Sequence, residues 1–193
     1  MSWQNMRILA FKVMSNNRVI GSLKIRQPLH CVGLGTISCD PGVVIGYFPS
    51  PYFLSTNSYL EARYSSAEIR IGSGTMINNN ISIIAERSSV VIGEHCLIGF
   101  NVEITDSDFH ALDSHDRDIG LLPESEAVNI GDHVFIGSNV RILKGVTIGA
   151  NSVIANSALV VNDIPAGVIA GGIPAKVLGN VVAARDRKRD EAG

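Results

Sequence analysis

The chain has no run of about 18 apolar residues, so no transmembrane helix is expected. Cysteine is scarce. Cys31, Cys39 and Cys96 are odd in number and follow no metal-ligand spacing. A disulfide framework is therefore not expected, and a reducing compartment suits the chain. Excess charge is also missing: 16 Lys and Arg stand against 18 Asp and Glu, for a formal charge of -2. That excludes a strongly basic nucleic-acid binder and an acidic tail protein, so no nucleic-acid partner is expected. Residues Met1 to Met14 lack the apolar block and cleavage site of a signal peptide, which makes the cytoplasm the expected location. Acidic residues are absent before Asp40, whereas Arg7, Lys12, Arg18, Lys24 and Arg26 precede it. Those first 39 residues are read as a solvated face or as one weakly drawn to anionic membranes or substrates.

Aromatic residues make up only 6%, and leucine is under-used, at 13 against 23 Ile and 19 Val. With 19 Gly and 46% hydrophobic content, the chain has enough apolar material for a core. It leans on β-branched residues and turns, not on helix formers.

A repeat of six organises these residues. It runs Ile71-Gly-Ser-Gly-Thr-Met, then Ile77 and Ile83. After a slip come Ile92-Gly-Glu-His-Cys-Leu, Ile98 and Ile104. It resumes at Ile130-Gly-Asp-His-Val-Phe and continues through Ile136, Ile142, Ile148 and Ile154 to Val160. A period of six fits a chain that turns a corner after each short strand. The leading aliphatic points inward, and so does a smaller residue four places later, such as Cys96, Val134 or Ala158. Glycine often follows the leader, where the backbone turns without a Cβ penalty. Three sixes make one triangular coil of about 18 residues, and coils stack through parallel strand pairing.

This pattern resembles the left-handed parallel β-helix of the hexapeptide-repeat acyltransferases. The expected fold is all-β: such a solenoid with an extruded loop and a short C-terminal helix. The expected divisions are an N-terminal cap over 1–27, the β-helix over 28–179, and a helical tail over 180–193. Residues 47–66, with two prolines, read as a loop or distorted coil.

The repeat breaks after Ile104 and extrudes a loop over 108–129. A long loop leaving a rigid solenoid is more often functional than accidental. The segment Asp106-Ser-Asp-Phe-His110 leads into this one, which also holds Asp113, His115 and Asp116. The run Asn78 to Arg117 is similar to galactoside and maltose O-acetyltransferases and to enzymes of bacterial surface-polysaccharide synthesis. The resemblance implies His110 as catalytic base, with Asn78 and Glu86 as substrate-contacting groups. Asp106, Asp108 and Glu86 are candidates to orient the imidazole or to bind the acceptor. Gly171-Gly-Ile-Pro-Ala-Lys-Val177 resembles the family's closing signature. Gly137, Ser138, Asn156 and Lys176 are the implied contacts to acetyl-CoA. Ala111 stands where relatives carry proline, and Phe135 where many carry tryptophan.

The chemistry fits. Imidazoles titrate at about 6.5, so a histidine can take a proton from an attacking hydroxyl and return it to a thiolate. No metal is required. The expected function is acetyl transfer from acetyl-CoA to a sugar or nucleotide-sugar acceptor by a homotrimer, with O-acetylation favoured over N-acetylation of an amino sugar. Two remoter readings are a zinc carbonic anhydrase, from the His110-x4-His115 spacing, and a non-catalytic scaffold.

Overall fold

The computed structural model describes residues 2–182. Its strands lie on three faces of a prism. The first face stacks the opening half of strand Thr36–Ile45 on Glu68–Ile71, Ser89–Ile92, Val128–Ile130 and Thr147–Ile148. The second stacks the closing half of Thr36–Ile45 on Met76–Ile77, Leu97–Ile98, Phe135–Ile136, Val153–Ile154 and Val168–Gly172. The third stacks Leu29–Gly33, Ser58–Ala62, Ser82–Ala85, Glu103–Thr105, Arg141–Ile142 and Leu159–Val160. All these ladders are parallel. The antiparallel exception is Ala175–Asn180, which folds back on Val168–Gly172.

The interior follows the repeat. Ile71, Ile92, Ile130 and Ile148 are in register on the first face. Ile45, Ile77, Ile98, Ile136 and Ile154 line up on the second. Leu60, Ile83, Ile104, Ile142 and Val160 line up on the third. All are buried, and so are the smaller residues four places after the leaders, from Thr75 to Ala158. β-branched side chains suit this wall because they have few rotamers to lose and pack evenly in stacked rows.

The glycines after the leaders act differently from expectation. Gly99 and Gly137 lack positive φ. Instead the next coil passes too close for a side chain. A Cβ on Gly99 would lie 2.6 Å from the Ser138 nitrogen, and one on Gly137 2.7 Å from the Asn156 nitrogen. The left-handed backbone sits elsewhere in the turns, at Asn80, His95, Asn101, His133 and Asn139. Asn80, Asn101 and Asn139 stack there, joined by side-chain hydrogen bonds of 2.8 and 2.9 Å.

Residues 47–66 are not all loop. Ser58–Ala62 is a full strand of the third face. The loop before it is pinned by buried Asn79, whose amide donates to the Tyr47 and Pro51 carbonyls, and by buried Gln27. At the N-terminal end, helix α1 (Trp3–Met14) packs near Leu29–Gly33, and strand Val19–Ile25 pairs with Thr36–Ile45. The extruded segment contains helix α2 (Ser114–Asp118), capped by the Asp113 carboxylate. Most of the helix expected over 180–193 lies outside the described residues.

Candidate active site

The extruded loop leaves the prism where the third face turns into the first, just after Glu103–Thr105. Its base is clasped by Asp106, which is fully buried. One carboxylate oxygen accepts the Glu86 N–H at 2.6 Å, and the other accepts the Ser88 N–H at 2.8 Å. The Asp106 carbonyl accepts the Glu126 N–H at 2.8 Å, and Ser107 bridges to Ser125, so the two stems of the loop are tied together. Burial pushes the Asp106 carboxyl up, against the pull of these backbone donors. Sealed in this way, Asp106 ties the base of the loop to the preceding coil.

Glu86 is 3% exposed and sits on the same corner one coil earlier. It accepts a hydrogen bond from the Ser107 hydroxyl, and Arg63 and Arg87 approach it at 3.4 and 3.2 Å. A buried carboxylate needs such partners, because an unpaired charge out of water is costly. The Ser107 hydroxyl in turn accepts the Phe109 N–H at 3.0 Å. Phe109 has φ 62°, and the Arg63 guanidinium lies 5.0 Å from its ring centroid. The backbone leading into His110 is thus held by a relay from Glu86, while His110 itself is exposed. Asp108 pairs with Lys144 at 2.9 Å, and Lys144 also reaches Glu124 at 3.1 Å. The loop beyond is braced by Arg117, which donates to the Ala111 carbonyl at 2.9 Å.

Glu86, Asp106, Asp108 and His110 therefore share one corner. The other anticipated residues do not join them. Asn78 follows Met76–Ile77, Gly137 and Ser138 follow Phe135–Ile136, and Asn156 follows Val153–Ile154, all where the second face turns into the third. Ser138 N–H donates to the Asn156 side chain at 2.8 Å, so these two are already paired. Lys176 is exposed and lies opposite Gly171, beside the same edge. A groove of about 570 Å³ opens next to it, lined by Asn80, Asn101, Asn139, Ser157, Tyr59 and Arg141 among others.

Arg63, Arg87, Ser107 and Lys144 went unread in the sequence. The repeat carries a signal for three of them, since Ser107 follows Ile104 by three places. Lys144 follows Ile142 by two places as Asp106 follows Ile104, and Arg63 follows Leu60 by three as Glu86 follows Ile83. Equal offsets from one ladder place residues on one corner.

Among the described residues, no group of three or more His, Cys, Asp or Glu side chains is placed to hold a metal ion, so the zinc reading finds no donor set there. Burial pushes the Cys31 and Cys39 thiols up to about 11 and about 12, which removes them as nucleophiles at neutral pH.

The bacterial transferase hexapeptide family (six repeats) matches residues 127–162, and the hexapeptide repeat of succinyl-transferase matches 89–105. A galactoside O-acetyltransferase of Lactococcus lactis subsp. lactis is 34% identical over 116 residues, 60% of this chain and 55% of its own. A 2,3,4,5-tetrahydropyridine-2,6-dicarboxylate N-acetyltransferase of Clostridium perfringens is 52% identical over 40 residues, 21% of this chain and 17% of its own. The matched stretches thus span from a sixth to about half of these curated relatives. A hexapeptide-repeat acetyltransferase of Vibrio cholerae O1 biovar eltor, complexed with acetyl coenzyme A, superposes with a TM-score of 0.60 at 28% identity. That match covers 94% of this chain and 80% of the other. With these likenesses, the prism described above is a left-handed parallel β-helix.

Proposed function

We propose that this chain, a left-handed β-helix of the bacterial transferase hexapeptide family, moves an acetyl group from acetyl-CoA to a sugar hydroxyl. The observation that carries this reading is an exposed His110, presented by a braced loop at the single long break in the repeat. The likeness to a galactoside O-acetyltransferase over 60% of the chain supports a sugar acceptor.

In this reading the His110 imidazole takes the proton of the acceptor hydroxyl as its oxygen attacks the thioester carbonyl. The tetrahedral intermediate collapses, the C–S bond breaks, and the imidazolium returns its proton to the coenzyme A thiolate. Glu86 and Ser107 act as positioning residues through the Phe109 backbone. A hydroxyl is favoured over an amine because Glu86, Asp106 and Asp108 already have partners and leave little to hold an ammonium. The setting in surface-polysaccharide assembly rests on the resemblance of Asp106 to His110 alone.

His110 and the Asn78–Ser138–Asn156 edge stand on different corners, so one chain does not close the site. The outward residues of the second face supply a way to do so. Val44, Met76, Leu97, Phe135, Val153 and Ile169 stand in register there. Met76, Leu97 and Phe135 are 41–50% exposed. Such an apolar stripe suits a self-association face. A homotrimer that packs it would bring one copy's His110 loop toward the next copy's acyl-donor edge. Gly137, Ser138 and Asn156 would then border the pantetheine arm, with Lys176 offering charge to a phosphate.

The test is thiol release from acetyl-CoA with free sugars, lipid-linked sugars and nucleotide amino sugars as acceptors. His110→Ala is expected to lower the rate by about 10²–10⁴-fold with the thermal midpoint unchanged. Full activity in that variant would remove His110 as the base. No thiol release by the wild type with any acceptor would remove acetyl transfer itself.

A further inference from the structure

Helix α1 is built the wrong way out for a helix that only caps a core. Its inward positions are Gln4, Arg7, Ile8 and Phe11, continued by Ser15 just past its end, all half-buried. The polar members of that set are engaged with the protein. Gln4 donates to the Arg26 and Phe53 carbonyls at 3.0 and 3.1 Å, and Arg7 donates to the Thr56 carbonyl at 2.6 Å. The outward stripe at positions 3, 6, 9, 10, 13 and 14 is wholly apolar. Trp3 is 65% exposed, Leu9 51%, Val13 76% and Met14 56%. A surface helix normally turns such a stripe to the core, and a soluble chain gains nothing by wetting it.

Two further features say what covers it. Lys12, Arg18, Lys24 and Arg26 are exposed at this end of the prism, and no acidic residue precedes Asp40. None of the four is in an ion pair among the described residues. In addition, a cleft of about 790 Å³ opens between α1 and strand Val19–Ile25. Leu9, Val13, Leu23 and Ile25 line it, with Lys12 and Arg18 among its walls. An apolar stripe continuous with an apolar cleft and flanked by unpaired cations matches an interface of acyl chains beneath anionic headgroups.

We propose that α1 and the cationic N-terminal end of the prism dock on an anionic bilayer surface, with Trp3, Leu9 and Val13 entering the headgroup–acyl boundary. The proposal stands apart from the acetyl-transfer reading, since it concerns residues of the first 26 positions that the reading does not use and needs no catalysis.

Trp3 is the chain's one tryptophan, so its fluorescence reports this face directly. Mixed phosphatidylglycerol–phosphatidylcholine vesicles are expected to shift the emission to the blue and to carry the protein in flotation. Partition should be at least about tenfold weaker on pure phosphatidylcholine and should fall with added salt. Leu9→Asp with Val13→Asp should abolish binding while circular dichroism stays unchanged, both side chains being exposed. Lys12→Gln with Arg18→Gln and Lys24→Gln should weaken it on anionic vesicles only. An unshifted Trp3 emission with no flotation would overturn the proposal. So would equal binding to both vesicle types, or a blue shift that grows with protein concentration without lipid, which would make the cover a second copy of the chain.

Discussion

The inside and the outside of the three faces obey different rules. Inside, the faces are nearly interchangeable: each is a ladder made mostly of isoleucines, with Cys39, Ala170, Cys31, Leu60 and Val160 as the other members. Outside, they diverge. The first face shows Ser38, Arg70, Val91, Asn129 and Thr147, and the third shows Tyr59, Ser82, Glu103, Arg141 and Leu159. The second shows only aliphatic, methionine and phenylalanine side chains. The inner wall is under one constraint, close packing against the coil above and below. The outer wall is free of it, so its residues record what each face meets.

Substituting the same charge on either side of the wall separates these roles. Ile104→Asp places an unpaired carboxylate among buried ladder residues and is expected to cost about 4 kcal/mol or more. Circular dichroism and thermal melting would show loss of the folded state. Leu97→Asp points outward and should leave the secondary structure intact. It is expected to reduce the mass in light scattering from an assembly to a single chain and to abolish acetyl transfer. An unchanged mass would show that the second face is not where copies meet.

A gentler change tests the charged outer corner. Burial pushes the Glu61 carboxyl up, but hydrogen bonds from Arg63 and Tyr59 outweigh it and hold the group below its ordinary value of 4.5. With the folded value lower than the unfolded one, the stabilisation is present above about 4.5 and is lost as pH falls through the folded value. The melting midpoint should decline below about pH 4.5, and Glu61→Gln should flatten that part of the curve. This is the smallest of the three effects, because Arg63 keeps Glu86 as a second partner.

Much of the fold was legible in the order of residues. The twelve leading positions from Ile71 to Val160 are all buried, because a rigid period of six can bury one residue per side only by turning a regular corner. The loop was legible for the same reason, as a failure of that period after Ile104. The site was legible in part. From sequence, Asp106 and Glu86 are candidates to bind the acceptor or to orient His110; in the structure one clasps the loop and the other anchors Ser107, Arg63 and Arg87. A one-dimensional pattern shows that carboxylates gather but not which backbone donors enclose them. Arg63 was hidden because prolines before it made residues 47–66 look irregular, whereas Asn79 and Gln27 tie that segment down and let Ser58–Ala62 rejoin the third face.

Sequence alone determined the stacked coil, its inner residues and the place where it opens, since these follow from local spacing repeated many times. Tertiary structure decided the rest. It placed His110 and the Asn78–Asn156 edge on different corners, gathered the apolar outer stripe on one face, and turned the apolar side of α1 to solvent. Each depends on which residues several coils apart come to lie side by side, and that is set by the stacking of whole turns.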